Sequence, residues 1–144
     1  MNKFKLSCYS IVVSAALTVF STFSFAEVVV IVNQNNANTL SESDVEKLFL
    51  GKTKRYPSGD TAIPINLPEG SANRSFFNNK LIGKSDSQMK SYWSKMVFSG
   101  KAVPLTEVDT DKEVVDLVQS NPNAIGYIDS ASVTDGVKVV LSLE

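Results

Sequence analysis

Apolar and polar positions alternate along the chain in blocks that predict an α/β domain. The continuous β-branched run EVVVIVN, at residues 27–33, predicts a strand that is buried on both faces. Elsewhere apolar residues recur at helical spacing, as at Val45, Leu48 and Phe49. About four strands mixed with about four helices indicate one small layered α/β domain. The further predicted strands are AIPIN at 62–66, AIGYI at 124–128 and GVKVVLSL at 136–143.

Capping residues predict where the helices begin and end. Ser41, with Asp44 three positions later, predicts a capping box for the first helix, and Gly51 predicts its end. The third helix is expected to begin at Ser85 or Asp86, and the fourth at Thr110 or Asp111. Pro64 cannot donate to a β-ladder, so its strand is expected at a sheet edge or at a strand start. Core packing is expected for the aromatic residues of the middle helices, Phe76, Phe77, Trp93 and Phe98.

The first 26 residues have the features of a secretory signal peptide. Lys3 and Lys5 form a positive segment, residues 11–20 form an apolar run, and Ser24-Phe25-Ala26 is a small-x-small cleavage site. The apolar run is short for a membrane span and no stop-transfer pattern follows it. We therefore expect cleavage after Ala26 and a periplasmic mature domain at residues 27–144. An uncleaved N-terminal anchor is the alternative.

The composition of residues 27–144 limits the chemistry. The one cysteine, Cys8, lies in the predicted signal peptide, and the chain has no histidine. The usual general base, thiolate nucleophile and zinc ligands are therefore missing, and we predict no enzyme activity, no catalytic residues, no metal and no cofactor. Without Lys3 and Lys5, 12 basic residues face 15 acidic ones, a net charge of −3. Since there is no basic excess, no nucleic-acid partner is expected.

Two weaker chemical candidates remain in the mature chain. The acidic run at 107–111 lacks the glycine and glutamate of an EF-hand calcium loop, so a solvated loop that caps a helix is the favoured interpretation. Ser71 and Lys80 form a conceivable serine–lysine pair for a hydrolase, but no base is placed near Ser71.

The segment PEGSANRSFF, residues 68–77, is the candidate binding site. Helix N-termini have backbone N–H groups without intrahelical partners and a partial positive charge, which together attract anions. Gly70 allows close approach of the backbone, Ser71 and Asn73 can donate to an oxyanion, and Arg74 adds a forked charged donor. Ala72 contributes a backbone amide. The alternative is a plain helix cap at Ser71 or Asn73 with Arg74 at the surface.

Several blocks of the mature chain, in order, resemble the phosphate-binding-protein family, the substrate-binding components of phosphate ABC transporters. IPINLPEGSANRSFF is similar to the family's Gly-Ser-Gly-Thr-Arg loop and helix, and VQSNPNAIGYI to its Pro-Gly-Ala-Ile-Gly-Tyr block. VVVIVN resembles the strand at which those chains enter their second lobe. LSESDVEKLFLGK and YWSKMVFSGKAVP resemble a Phe-x-Gly-Lys and a Trp…Phe-x-Gly block.

The resemblance implies a single lobe of a type 2 periplasmic-binding-protein-like fold, with a central mixed sheet flanked by helices. It implies a phosphate or similar oxyanion site at Gly70, Ser71, Ala72, Asn73 and Arg74. Ser71 and Arg74 match the family loop, whereas Leu67, Ala72 and Asn73 stand where an arginine, a glycine and a threonine are common. Such proteins close two lobes on the anion, and this chain has residues for one, so an open half-site of about millimolar affinity is expected.

Two functional hypotheses follow. The first is a non-enzymatic solute-binding domain of phosphate transport, with its site open or completed by a second copy or a partner protein. The second is an envelope interaction module that has lost tight ligand binding and docks on a membrane sensor or another protein. Tyr127, Asn33 and Gln34 are further candidates for the ligand edge, because ligands of open α/β sheets bind at the carboxyl ends of strands.

Overall fold

The computed structural model describes residues 27–144, so the predicted signal peptide and its cleavage site lie outside the described residues. Five strands and four α-helices are interspersed along this part of the chain. A π-helical turn, Asn78–Ile82, continues α2, and a 3₁₀ turn, Ser130–Ser132, follows β4. The elements in chain order are β1 (Val28–Asn33), α1 (Glu42–Phe49), β2 (Ile63–Asn66), α2 (Ala72–Phe77), α3 (Asp86–Phe98), β3 (Thr106–Glu107), α4 (Asp111–Ser120), β4 (Ala124–Asp129) and β5 (Val137–Leu143).

The five strands form one mixed sheet in the order β3-β2-β4-β1-β5. β2 runs parallel to β3 and β4, whereas β1 runs antiparallel to both β4 and β5. The β1–β4 register pairs Val28 with Asp129 and Val32 with Ile125. As a result, the carboxyl ends of β2, β3 and β4 lie at the same end of the sheet as the start of β1. This end, where the parallel strands stop, is the carboxyl edge of the sheet.

The central strands make the core, and this explains their continuous apolar sequence. Every residue of β1 is buried, as are Ala124 to Ile128 of β4. Strands that are covered on both faces have no polar face to alternate with. α1 and α4 each bury one apolar face, which consists of Val45, Leu48 and Phe49 in α1 and of Val114, Val115 and Val118 in α4.

The predicted helix ends are confirmed where the cap geometry is defined. Ser41 and Asp44 form the capping box of α1, and Gly51 after that helix has φ +67°. Ser85 caps α3 and Thr110 caps α4. The predicted edge location of Pro64 is confirmed in part. β2 is the second strand from the edge of the sheet, but β3 pairs with it only from Ile65 onward, so Pro64 has no partner on β3.

Two predictions were incomplete or wrong. The structure has five strands where about four were expected, because residues 106–107, in a segment whose sequence fits either a loop or a short strand, pair with β2 as a two-residue edge strand. Phe98 was expected in the core, but it is 96% exposed at the end of α3. Phe77 is buried as expected, while Phe76 and Trp93 are only partly buried against the core. Across residues 27–144, none of the helices is both long enough and apolar enough to cross a membrane.

Candidate functional site

The 68–74 segment lies at the edge where the parallel strands end. β2 ends at Asn66, a short turn follows, and α2 begins at Ala72. The carboxyl end of β4 and the short strand β3 lie beside it in the same sheet. This is the edge at which open α/β sheets bind ligands, and it results from the parallel pairing of β2 with both neighbours.

Gly70 and Ser71 give the turn before α2 its shape. Gly70 has φ +85°, a left-handed conformation that disfavours residues with a Cβ atom. Ser71 is the N-cap, and its Oγ accepts from the backbone N–H of Arg74 at 3.4 Å. The amides of Ala72 and Asn73 have no acceptor within residues 27–144, as expected for the first turn of a helix. The cap and an open pair of amides therefore occur together, so the two interpretations of this loop are compatible.

Arg74 is held by two acceptors from different elements. Its Nη1 donates to the carbonyl oxygen of Leu67 at 2.8 Å and to Oε2 of Glu107 at 3.0 Å. The Arg74 side chain is 13% exposed and that of Glu107 is 47% exposed. A guanidinium has five N–H donors, and no residue in the described part of the chain accepts from Nε or Nη2. Arg74 thus lies against the loop with most of its donors uncommitted.

Asn73 also contacts a carboxylate. Its Nδ2 lies 3.3 Å from each carboxylate oxygen of Asp111, the first residue of α4. Asp111 Oδ2 accepts from the backbone N–H of Asp129 at 2.9 Å and from the Ser132 hydroxyl at 3.2 Å. The acidic run at 107–111, predicted to be a solvated loop that caps a helix, therefore supplies hydrogen-bond partners to Asn73 and Arg74.

Tyr127 is fully buried, and its hydroxyl contacts the two residues that directly precede the 68–74 segment. Its hydroxyl donates to Oδ1 of Asn66 and accepts from the backbone N–H of Leu67 at 3.3 Å. Burial raises the pKa of Tyr127, so the hydroxyl keeps its proton as a donor. Because Leu67 holds Arg74 through its carbonyl, Tyr127 helps to position the arginine without reaching solvent.

Asn33 and Gln34 lie at the end of the sheet opposite to the carboxyl edge. β1 is antiparallel to β4, so its carboxyl end lies beside the start of β4. Asn33 is buried, and its Nδ2 donates to the carbonyl oxygens of Val118 and Gln119 at 2.9 Å each, at the end of α4. Gln34 is exposed and donates to the carbonyl oxygen of Asp135. The structure does not bring either residue together with Ser71 and Arg74.

A groove of about 490 Å³ adjoins Arg74 and lies along α3. Its walls include Trp93, Phe98 and Leu105, and the Arg74–Glu107 ion pair closes one side. The exposed residue Val97 also lines it, and the exposed residue Val103 directly precedes Pro104, which is part of its wall. The ring of Trp93 lines this groove, but its indole N–H is buried and has no hydrogen-bond acceptor within residues 27–144.

Sequence reasoning missed Asn66, Glu107 and Asp111 as neighbours of the site. Glu107 and Asp111 are 33 and 38 residues away in sequence from their partners Arg74 and Asn73. Their one signal was acidic character close to a predicted helix start, which capping explains equally well. Within residues 27–144, no group of three or more histidine, cysteine or acidic residues could hold a metal ion.

The fold defined by this sheet and its helices is that of one lobe of a periplasmic-binding-protein-like domain. The sequence matches no protein-family model and no curated protein. Among solved structures, the chain is similar to an ABC-type phosphate transport receptor from Vibrio cholerae, with a TM-score of 0.62 and 20% identity. That match covers 80% of this chain and 46% of the receptor.

Two further structures have the same fold. A putative phosphate ABC transporter substrate-binding protein with bound phosphate from Clostridium perfringens has a TM-score of 0.63 and 23% identity, over 80% of this chain and 45% of that one. PstS from Borrelia burgdorferi has a TM-score of 0.59 and 17% identity, over 81% and 47%. The chain thus spans less than half the length of these proteins. The resemblance inferred from the sequence blocks is confirmed for the fold.

Proposed function

We propose that this chain is a non-enzymatic solute-binding domain that binds phosphate or a similar oxyanion at the Gly70–Arg74 loop. The observation that carries the proposal is the presence of Arg74 and of the amides of Ala72 and Asn73, which have no acceptor within residues 27–144, in the same first helical turn at the carboxyl edge of the sheet. The structural neighbours, which by name are phosphate receptors of transporters and not enzymes, support the same ligand class.

The donors suit a tetrahedral oxyanion by type. Backbone N–H groups at a helix start and a guanidinium edge both donate to phosphate oxygens, and neither brings a proton acceptor that would repel the anion. The hydroxyl of Ser71 is partly exposed and can add a further donor while its oxygen caps the helix. Gly70 gives the turn before these groups its left-handed conformation, φ +85°.

The expected affinity is low because the site is open on one side. Hydrogen bonds to charged groups contribute roughly 1.5–3 kcal/mol when buried, and an exposed helix terminus contributes about 0.3–1 kcal/mol. A millimolar dissociation constant needs about 4 kcal/mol and a micromolar one about 8 kcal/mol. Two or three such contacts account for millimolar binding. Tighter binding would require a second copy or a partner protein to cover the site.

Amide NMR titration with inorganic phosphate and with sulfate tests the proposal. We expect the amide signals of residues 70–74 to shift with phosphate in the millimolar range, and Arg74→Ala to abolish the shifts. Arg55→Ala is the matched control, since Arg55 is an exposed arginine whose Nη1 donates to the Gly59 carbonyl in a different turn. Absence of local shifts up to about 20 mM phosphate, well above a millimolar constant, would contradict the proposal. Light scattering of the same samples shows whether a second copy covers the site.

We also propose that the domain is exported to the periplasm, with residues 1–26 removed after Ala26. The support is the charge, apolar run and cleavage pattern of those residues. Intact-mass measurement of the protein from the periplasmic fraction tests this. A chain that begins at Glu27 is expected, and a full-length mass in the membrane fraction would contradict it.

A second function, an interaction module that docks on an envelope protein, is favoured by one observation. Phe98 is 96% exposed and Val103 is 70% exposed, next to the groove along α3. Clustered exposed apolar side chains are typical of protein interaction sites. A photo-crosslinker placed at residue 98 in cells should give one discrete adduct, whereas one at Val139, which is 40% exposed on β5, should not. Equal labelling from both positions would contradict docking at α3.

A further inference from the structure

Glu107 and Arg74 form an ion pair, so an anion that binds Arg74 would lie close to the Glu107 carboxylate. Glu107 lies on β3 and is 33 residues from Arg74 in sequence, and its Oε2 accepts from Arg74 Nη1 at 3.0 Å. Nη1 also donates to the Leu67 carbonyl oxygen, so both of its hydrogens have acceptors. The chain's own carboxylate therefore already neutralises the charge that would attract an oxyanion.

We propose that Glu107 is an internal competitor that weakens oxyanion binding at Arg74, and this inference rests on the proposed phosphate site. A carboxylate tethered to a neighbouring strand has a high effective concentration at the guanidinium, since its contact is intramolecular. It also repels an incoming anion from a few ångströms away. Binding of phosphate must therefore either share Arg74 with Glu107 or displace it.

Glu107 is built so that it can be displaced. β3 has two residues and forms the edge of the sheet, held to β2 by pairing of Thr106 and Glu107 with Ile65 and Asn66. The Glu107 side chain is 47% exposed, so its carboxylate regains solvent readily once it leaves Arg74. Arg74 is 13% exposed and remains anchored by Leu67. The arginine is thus the fixed partner and the glutamate the movable one.

Asn73 has a comparable partner, but a less movable one. Asp111 accepts from Asn73 and also from the Asp129 amide and the Ser132 hydroxyl, so it ties α4 to the end of β4. Its removal would loosen the fold around the site. The Glu107 side chain has one hydrogen-bond partner within the described residues, Arg74, so it is the position at which competition can be measured separately from stability.

Phosphate titration of Glu107→Gln, followed by amide NMR at residues 70–74, tests the inference. The variant keeps the shape of the side chain and removes its charge. We expect phosphate to bind roughly three- to tenfold more tightly than to the unmodified protein, as for loss of one partly exposed ion pair. Glu69→Gln is the matched control. Glu69 lies on the same groove and pairs with Lys90 at 3.4 Å, with both side chains mostly exposed.

The outcomes separate this inference from the proposed function. Tighter binding in Glu107→Gln but not in Glu69→Gln, with measurable binding by the unmodified protein, supports both. Equal gains in the two variants assign the effect to net charge and overturn the inference. Unchanged or weaker binding in Glu107→Gln also overturns it while the phosphate site stands. If no protein in the series binds phosphate, the proposed function fails and the inference fails with it.

Discussion

The aromatic rings of Phe77 and Tyr127 stack, with centroids 4.0 Å apart and planes 7° apart. Phe77 is in α2 and Tyr127 is in β4, so this contact fixes the binding-loop helix on the centre of the sheet. The ring of Phe49 from α1 meets both edge-on, at 4.8 Å and 5.6 Å. The three buried rings join three elements directly beneath the candidate site.

Shortening Phe77 should destabilise the whole domain. Phe77→Leu removes the stacked contact and part of the buried volume, and we expect a loss of about 1–2 kcal/mol in the free energy of unfolding, measured by urea denaturation. Phe98→Leu is the control, because Phe98 is 96% exposed and its change should stay within about 0.5 kcal/mol. Equal losses in the two variants would contradict the packing described here.

Removing the Tyr127 hydroxyl should loosen the loop without unfolding the protein. Tyr127→Phe takes one acceptor from the Leu67 amide, which retains Oδ1 of Asn66 at 3.1 Å, so the expected cost is about 1 kcal/mol. Tyr92→Phe is the matched control, since its hydroxyl also donates to one acceptor, the Leu50 carbonyl oxygen at the end of α1, away from Leu67 in sequence. Amide hydrogen exchange at Leu67 should accelerate in Tyr127→Phe alone. Similar exchange in both variants would count against the role of Tyr127.

Gly70 should resist substitution because of its backbone conformation. A Cβ atom at Gly70 meets no other atom within 4 Å, so the cost of Gly70→Ala comes from φ +85° alone, roughly 1–2 kcal/mol. Gly59→Ala, at φ +97° and equally open, should cost a similar amount in thermal unfolding. If the 70–74 loop binds phosphate as proposed, phosphate affinity should fall in Gly70→Ala and not in Gly59→Ala. A fall in both variants would place the effect in global stability.

Asp86 should make the domain sensitive to acid. Hydrogen bonds, the stronger influence from Ser75 and the weaker from Asn78, hold the pKa of Asp86 below its ordinary value of 3.8. A carboxyl group whose pKa is lower in the folded state stabilises the fold at pH values above its unfolded pKa, and this is lost as the pH falls through the folded pKa. Thermal melts should therefore show a stability loss below pH 3.8 that is smaller in Asp86→Asn.

The same measurement on two serine variants locates the effect. Ser75→Ala removes the hydrogen bond to Asp86 and should reduce the acid-dependent loss, whereas Ser87→Ala alters an exposed serine of α3 and should leave it unchanged. If all variants lose stability equally between pH 5 and pH 3, the Asp86 contacts do not contribute.

Local patterns determined most of the secondary structure. The β-branched run at 28–33, the caps Ser41, Ser85 and Thr110, and the turn glycine Gly51 act over a few residues, so the sequence predicted them well. The ordered sequence blocks also indicated the lobe that the solved structures confirm. The segment at 103–108 could be a loop or a short strand by its sequence, and its pairing with β2, which local propensity does not specify, decides that residues 106–107 form β3.

The tertiary structure decided which polar groups meet. Gly70, Ser71 and Arg74 could be selected from the sequence because their chemistry is local to one turn. Glu107 reaches Arg74 and Asp111 reaches Asn73 only because β3 and α4 return to the carboxyl edge of the sheet. The antiparallel direction of β1, which no local pattern specifies, carries Asn33 to the far edge. Strand direction and long-range pairing thus determine what surrounds the loop, since these depend on how distant segments pack and not on the residues next to each position.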